Sequence, residues 1–135
     1  MGQRRNSREL AMQALFYIDL GNEKPFEAYN LFCVHSKPEE GINAFFEEIV
    51  EGTLKHKSEI DSIVEKFSNN WKLSRMSGID RNIIRIAVYE MIYCDDIPST
   101  VTINEAIDIG KKFGTKDSGA FINGILDAIS QNLES

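Results

Sequence analysis

Three arginines near the N-terminus, Arg4, Arg5 and Arg8, and three lysines late in the chain, Lys111, Lys112 and Lys116, are the side chains here with the most direct chemistry. Phe113 and Phe121 flank the later group, and Asp117 lies between them. Cations interleaved with aromatics suit single-stranded nucleic acid, because phosphates pair with the cations while bases stack on the rings. A carboxylate such as Asp117 at a helix start can accept from a base edge and add selectivity. A second account fits the same pattern: both Phe residues are core, Asp117 is a helix cap, and the arginines belong to a solvated terminus. The pattern alone leaves both accounts standing.

Other chemistry is poorly supported. Carboxylates are plentiful, but none forms an isolated pair among apolar neighbours. His35 and His56 fall at a loop edge and a helix end, and Cys33-x-His35 is too small a constellation for a nucleophile or a metal. No C-x-x-C occurs, so no metal signature is recognisable. The run Gly110–Lys116 lacks the spacing of a phosphate-binding loop and follows no strand. Nothing argues for an enzyme or a cofactor.

The elements that must position these residues read as all-α. The organising stretch is Gly78 to Tyr93. Ile79, Ile83, Ile86, Ala87 and Tyr93 make one apolar face, and Ile84, Val88, Met91 and Ile92 make another. A helix apolar on two sides must be wrapped by others. Ser77 is its expected N-cap, and Asp80 in its first turn is favoured by the helix dipole. About seven helices are expected: Ser7 to Leu20, opened by an Asn6–Glu9 capping box and stopped by Gly21 and Asn22; Pro25 to Val34; Ile42 to His56 after a loop at Ser36–Gly41; and Ser58 to Phe67, capped by Ser58 or Asp61. The central helix comes next. The sixth opens on Thr102-x-x-Glu105 as a capping box, and the seventh, capped by Asp117 or Thr115, runs to about Ser130. Gly110 inside the sixth implies close approach of a neighbouring helix. Asn123-Gly124 is a turn signal that the helical period overrides. Residues 1–6 are expected to be a mobile basic arm on a single helical domain, 1–135.

The 135 residues carry a net charge of −6, unevenly placed: residues 1–22 sum to +1, residues 23–66 to −5 and the remainder to −2. A basic arm on an acidic protein is a candidate phosphate contact. No apolar run reaches the roughly 18 residues of a membrane span, and no secretory signal is present. Cys33 and Cys94 in apolar helical patterns fit reduced thiols of a cytoplasmic protein.

Four segments resemble the NusB family: RRNSRELAMQALF (Arg4–Phe16), DRNIIRIAVYEM (Asp80–Met91), VTINEAIDIGKKFG (Val101–Gly114) and KDSGAFINGILD (Lys116–Asp127). The resemblance covers nearly the whole chain. It implies an all-helical fold of two small bundles around a shared helix. It also implies a transcription antitermination factor without catalysis, which binds the single-stranded boxA element of rRNA transcripts together with NusE, a small-subunit ribosomal protein, and helps RNA polymerase resist termination. Carried over by position, the RNA surface falls on Arg4, Arg5, Arg8, Phe113, Lys116, Asp117 and Phe121. The NusE-facing side falls on Phe16 and on Asp80, expected to be exposed. Asn6 stands where relatives often carry Arg or Lys, which implies weaker RNA binding alone and more dependence on NusE. Two alternatives remain. One is the NusB-like N-terminal domain of an rRNA cytosine methyltransferase, disfavoured by a chain that ends at Ser135. The other is a protein-only adaptor for NusE.

Overall fold

The computed structural model describes residues 2–21, 23–36, 43–69 and 71–133. Among them, seven α-helices follow one another: α1 (Gln3–Leu20), α2 (Pro25–His35), α3 (Ala44–Lys55), α4 (Lys57–Lys66), α5 (Gly78–Tyr93), α6 (Ser99–Phe113) and α7 (Ser118–Leu133), with one 3-10 turn at Leu73–Arg75 before α5. No strand occurs among the described residues.

α5 is the centre, as its two apolar faces require. Every residue from Asn82 to Glu90 is buried, and the helix packs against α1, α3, α4, α6 and α7. α1, α2 and α3 form one small bundle with it, and α4, α6 and α7 a second. Ile84 and Val88 are fully buried, each worth about 1.5–3 kcal/mol in apolar transfer. Ser77 caps α5, its hydroxyl accepting from Asp80 N at 3.0 Å. Pro25 sits at the start of α2, where its missing N–H costs nothing. Gly110 does mark a close approach: a Cβ there would lie 2.6 Å from Ile122 Cδ1 of α7. α7 runs unbroken through Asn123-Gly124 and reaches Leu133.

Several helix starts differ from the sequence expectation, and Glu9, Asp61, Thr102 and Glu105, expected at caps, are engaged with other helices. α1 begins at Gln3, so Arg4 and Arg5 lie on the helix and not on an arm before it. Asn6 and Glu9 form no capping box. Ser7 is buried inside α1, its hydroxyl 2.9 Å from Gln3 O and 3.0 Å from Asn43 Oδ1. Asn43 itself caps α3, accepting from Phe46 N at 2.9 Å. α4 starts at Lys57, one residue after α3, with no side-chain cap; Asp61 instead accepts from Arg85. α6 starts at Ser99, so Thr102 and Glu105 are interior to it and bond to other helices. Asn22, most of the loop 36–41 and the expected helix start Ile42 lie outside the described residues.

Two buried charge clusters pin α1 and α5 together in antiparallel alignment. Near the start of α5, Arg85 donates to Asp61 Oδ1 (2.8 Å) and to Asp19 Oδ2 (3.0 Å), and Arg81 and Asn82 also donate to Asp19. Burial pushes the Asp19 carboxyl up, but Asn82, Arg85 and Arg81 outweigh it and hold it below the ordinary carboxylate value. Near the end of α5, Arg8 donates to both Glu90 oxygens, at 2.8 and 2.9 Å, and Thr102 Oγ1 of α6 donates to Glu90 Oε1 at 3.1 Å.

Candidate nucleic-acid and partner surfaces

The first half of α1 runs beside α6 in the same direction. Arg5 donates to both Glu105 oxygens, at 2.6 and 2.7 Å, and to Asp108 at 3.0 Å. One helical turn further, Glu9 accepts from Lys112 at 2.9 Å. The Arg5 hydrogen bonds hold the Glu105 carboxyl below its ordinary value and push the Arg5 guanidinium still higher, so this pair stays ionised across the physiological range. Arg4 is exposed, 3.5 Å from Asp96 and 4.6 Å above the Phe45 ring. Arg4, Arg5, Arg8, Asp96 and Glu105 border an open groove of about 350 Å³ that reaches Pro98 and Val101 at the start of α6.

At the other end of α6 the geometry is different. Phe113 and Phe121 are half-buried, packed on the core with one side open. Lys112 Nζ lies 5.2 Å from the Phe113 ring. Lys116 and Asp117 are exposed and have no side-chain partner among the described residues. Asp117 does not cap α7. The Ser118 hydroxyl takes Thr115 N at 2.9 Å, which closes the turn. The Asp117 carboxylate is therefore available, which removes the capping account for this residue. The Phe residues satisfy both accounts, since each packs against the core and is still partly exposed.

Arg5 is held at Glu105 and Asp108, five to eight residues before Phe113, so it stands roughly 8–12 Å from this turn along α6 at 1.5 Å per residue, and Arg4 lies further out beside Asp96. Arg4 and Arg5 mark one end of the face, Lys112 lies along it, and Phe113, Lys116, Asp117 and Phe121 close the other. Arg8 does not join them. It is 5% exposed, with its donors on Glu90 and Glu105. The RNA contact that the resemblance implied for Arg8 is thus corrected to an internal tie, because a charge that deep needs a partner carboxylate. The interleaved carboxylates Asp96, Glu105, Asp108 and Glu9 went unread in the sequence. The signal was there: Glu105, Asp108 and Lys112 share one α6 stripe, at the i, i+3, i+7 spacing that faces Arg5 and Glu9 on α1.

Phe16 and Asp80 come together at the start of α5. The Phe16 ring lies on the backbone of Gly78, where a Cβ would sit 2.5 Å from Phe16 Cε1. Asp80, two residues on, is half-buried and not exposed as expected, and its Oδ1 is shielded from solvent without a hydrogen-bond partner. The thiols are unsuited to nucleophilic chemistry: burial pushes Cys94 up to about 12 and raises Cys33 as well. No cluster of three or more metal-ligating side chains occurs among the described residues, and no helix is long and apolar enough to cross a membrane.

An all-helical double bundle around one shared helix, with a face of cations and half-open rings in place of a catalytic cleft, defines a class of helical binding factors. The chain belongs to the NusB family, whose family model matches residues 5–131. It is 54% identical to the transcription antitermination protein NusB of Desulfatibacillum aliphaticivorans, over 98% of this chain and 93% of that one. It is 43% identical to the protein of the same name in Bacillus velezensis, over 98% and 99%. Among solved structures, the T. maritima NusB superposes with a TM-score of 0.81 at 34% identity, covering 95% of this chain and 90% of that one. A structure of the antitermination factors NusB and NusE in complex with dsRNA superposes at 0.80 with 27% identity, covering 96% and 97%.

Proposed function

We propose that this protein is an RNA-binding transcription antitermination factor of the cytoplasm. With NusE it binds the boxA element of rRNA transcripts and helps RNA polymerase resist termination. The observation that carries the reading is the α1–α6 face. Arg4 lies beside Asp96 before α6, Arg5 beside Glu105 and Asp108, and Phe113, Lys116, Asp117 and Phe121 at the far end, roughly 8–12 Å beyond Arg5 along α6. That separation suits an extended strand, whose phosphates pair with cations while unstacked bases reach the rings. Arg5 and Lys112 already hold carboxylates, so an incoming phosphate must displace an existing ion pair. This competition gives a physical reason for weak RNA binding alone and for help from NusE, which in this reading meets Phe16 of α1 and Asp80 at the start of α5.

The test is RNA binding across a salt series, with and without NusE, using a boxA strand, a scrambled strand and a duplex. The expected result is NusE-enhanced, sequence-selective binding to the single strand. Arg4→Ala with Arg5→Ala should flatten the plot of log K against log salt by about 1.4, since each single-strand phosphate that is no longer neutralised takes roughly 0.7 from the slope. An unchanged slope removes these arginines from the site. NusE binding without any RNA contribution would establish the protein-only adaptor instead.

A further inference from the structure

Trp71, the only tryptophan of the chain, is 52% exposed in the connector between α4 and α5. It is firmly held there. Its backbone N–H donates to Ser68 O at 3.0 Å, and the buried Ser68 hydroxyl donates to Trp71 O at 2.6 Å. Asn69 between them takes the left-handed conformation, with φ at 51°, one of the few residue types that does so readily. The indole ring meets Phe121 edge-on, with centroids 6.1 Å apart. Phe67, Trp71 and Phe121 line an open groove of about 410 Å³, within the size range of small-ligand sites.

The floor of this groove is α7, where Ala120, Gly124 and Ala128 recur every fourth residue. Gly124 has no structural need to be glycine. It is interior to a regular helix, and a Cβ built on it meets nothing within 4 Å. A glycine that weakens its helix without enabling a contact keeps space open. The charge of the groove is also unusual for a protein of net charge −6. Lys66 is the one charged residue among its described lining, with its ammonium 5.6 Å from the Phe67 ring, and Lys72 follows Trp71 in the chain. The groove shares Phe121 with the α6–α7 end of the proposed RNA face, so the two surfaces are continuous.

We propose that the groove between Trp71 and α7 is a nucleobase subsite, in which an unpaired RNA base stacks on Trp71 while Lys66 meets its backbone. This rests on the RNA-binding reading above and extends its footprint beyond the α6–α7 turn onto the second bundle. An apolar, aromatic cleft with a cationic rim is what a single base with its phosphate requires.

Trp71 reports on its own occupancy. Emission is followed while a single-stranded boxA RNA is titrated into the protein with NusE, and fluorescence anisotropy of end-labelled RNA measures binding independently. The Trp71→Phe protein supplies the emission blank. The expected result is quenching of Trp71 and protection from acrylamide, with the midpoint given by anisotropy. Trp71→Ala and Gly124→Leu should each weaken binding roughly 5- to 100-fold; the second leaves the tryptophan in place and fills the groove. Trp71→Phe should retain most of the affinity, and an abasic nucleotide at one position of the strand should abolish the quench. If anisotropy shows binding while Trp71 emission and accessibility stay unchanged, the subsite is refuted and the RNA reading survives. Protection by NusE alone, before RNA is added, would assign the groove to protein and also refute it. If anisotropy detects no RNA binding at all, the function reading fails and the subsite falls with it.

Discussion

Arg8→Ala tests the division of labour among the three N-terminal arginines. Arg8 is 5% exposed and Glu90 1%, and two hydrogen bonds of 2.8 and 2.9 Å join them across α1 and α5. Removing the guanidinium leaves Glu90 with the Thr102 hydroxyl and no countercharge. Breaking a buried pair from one side costs about 3–5 kcal/mol, largely the penalty of the stranded charge. Against a typical domain stability of about 5–15 kcal/mol this is a large fraction. Urea unfolding followed by circular dichroism reads it directly. The reasoning also predicts the double variant. Arg8→Met with Glu90→Leu removes both charges and should recover most of the loss, since apolar replacements of buried pairs are often neutral. RNA binding by that double variant, once folded, should keep the wild-type salt slope, because Arg8 touches no phosphate. A loss below about 1 kcal/mol for Arg8→Ala at an unchanged urea slope would refute the buried tie.

Further outcomes follow from the same geometry. Gly124→Ala should stabilise the protein by up to about 1 kcal/mol through helix propensity, whereas Gly110→Ala, whose Cβ would lie 2.6 Å from buried Ile122, should destabilise it by about 1 kcal/mol or more; paired melting curves of opposite sign check this. Asp19 and Glu105 are both held below their ordinary values of 3.8 and 4.5, so the unfolded chain binds more protons, and their stabilisation is complete above about 4.5 and lost as pH falls below it. Asp19→Asn should therefore flatten the acid limb of an unfolding-against-pH series, and an unchanged limb would exclude the cluster. Asp80→Lys should impair NusE binding, measured by calorimetry, while RNA contact by the isolated protein persists; joint loss would mean that the two surfaces are one.

The helix starts show where local reading stops. Thr102-x-x-Glu105 is a capping box by spacing, yet Thr102 serves Glu90 and Glu105 serves Arg5, residues twelve and a hundred positions away. Asn6–Glu9 misleads for the same reason, with Glu9 bound to Lys112. A side-chain oxygen takes whichever donor the tertiary fold brings near, and a periodicity argument sees only its own helix. Ser77 was legible because its partner, Asp80 N, is local. The candidate RNA residues were legible by type but not by state. Arg8 is indistinguishable from Arg4 in the sequence, and only the packing of α1 on α5 turns it inward.

Apolar spacing by itself determined the all-α class, the seven helices and the central place of Gly78–Tyr93, because a two-faced apolar helix has nowhere to go but the middle. The four family segments carried the relationship to NusB proteins, matched over residues 5–131. Only the tertiary structure decided which charges are spent inside and which remain for a ligand, because burial and pairing depend on neighbours that are distant in sequence. It alone set Arg5 and Lys112 against carboxylates, left Lys116 and Asp117 free of side-chain partners among the described residues, and stood Trp71 over Phe121, fifty residues further along the chain.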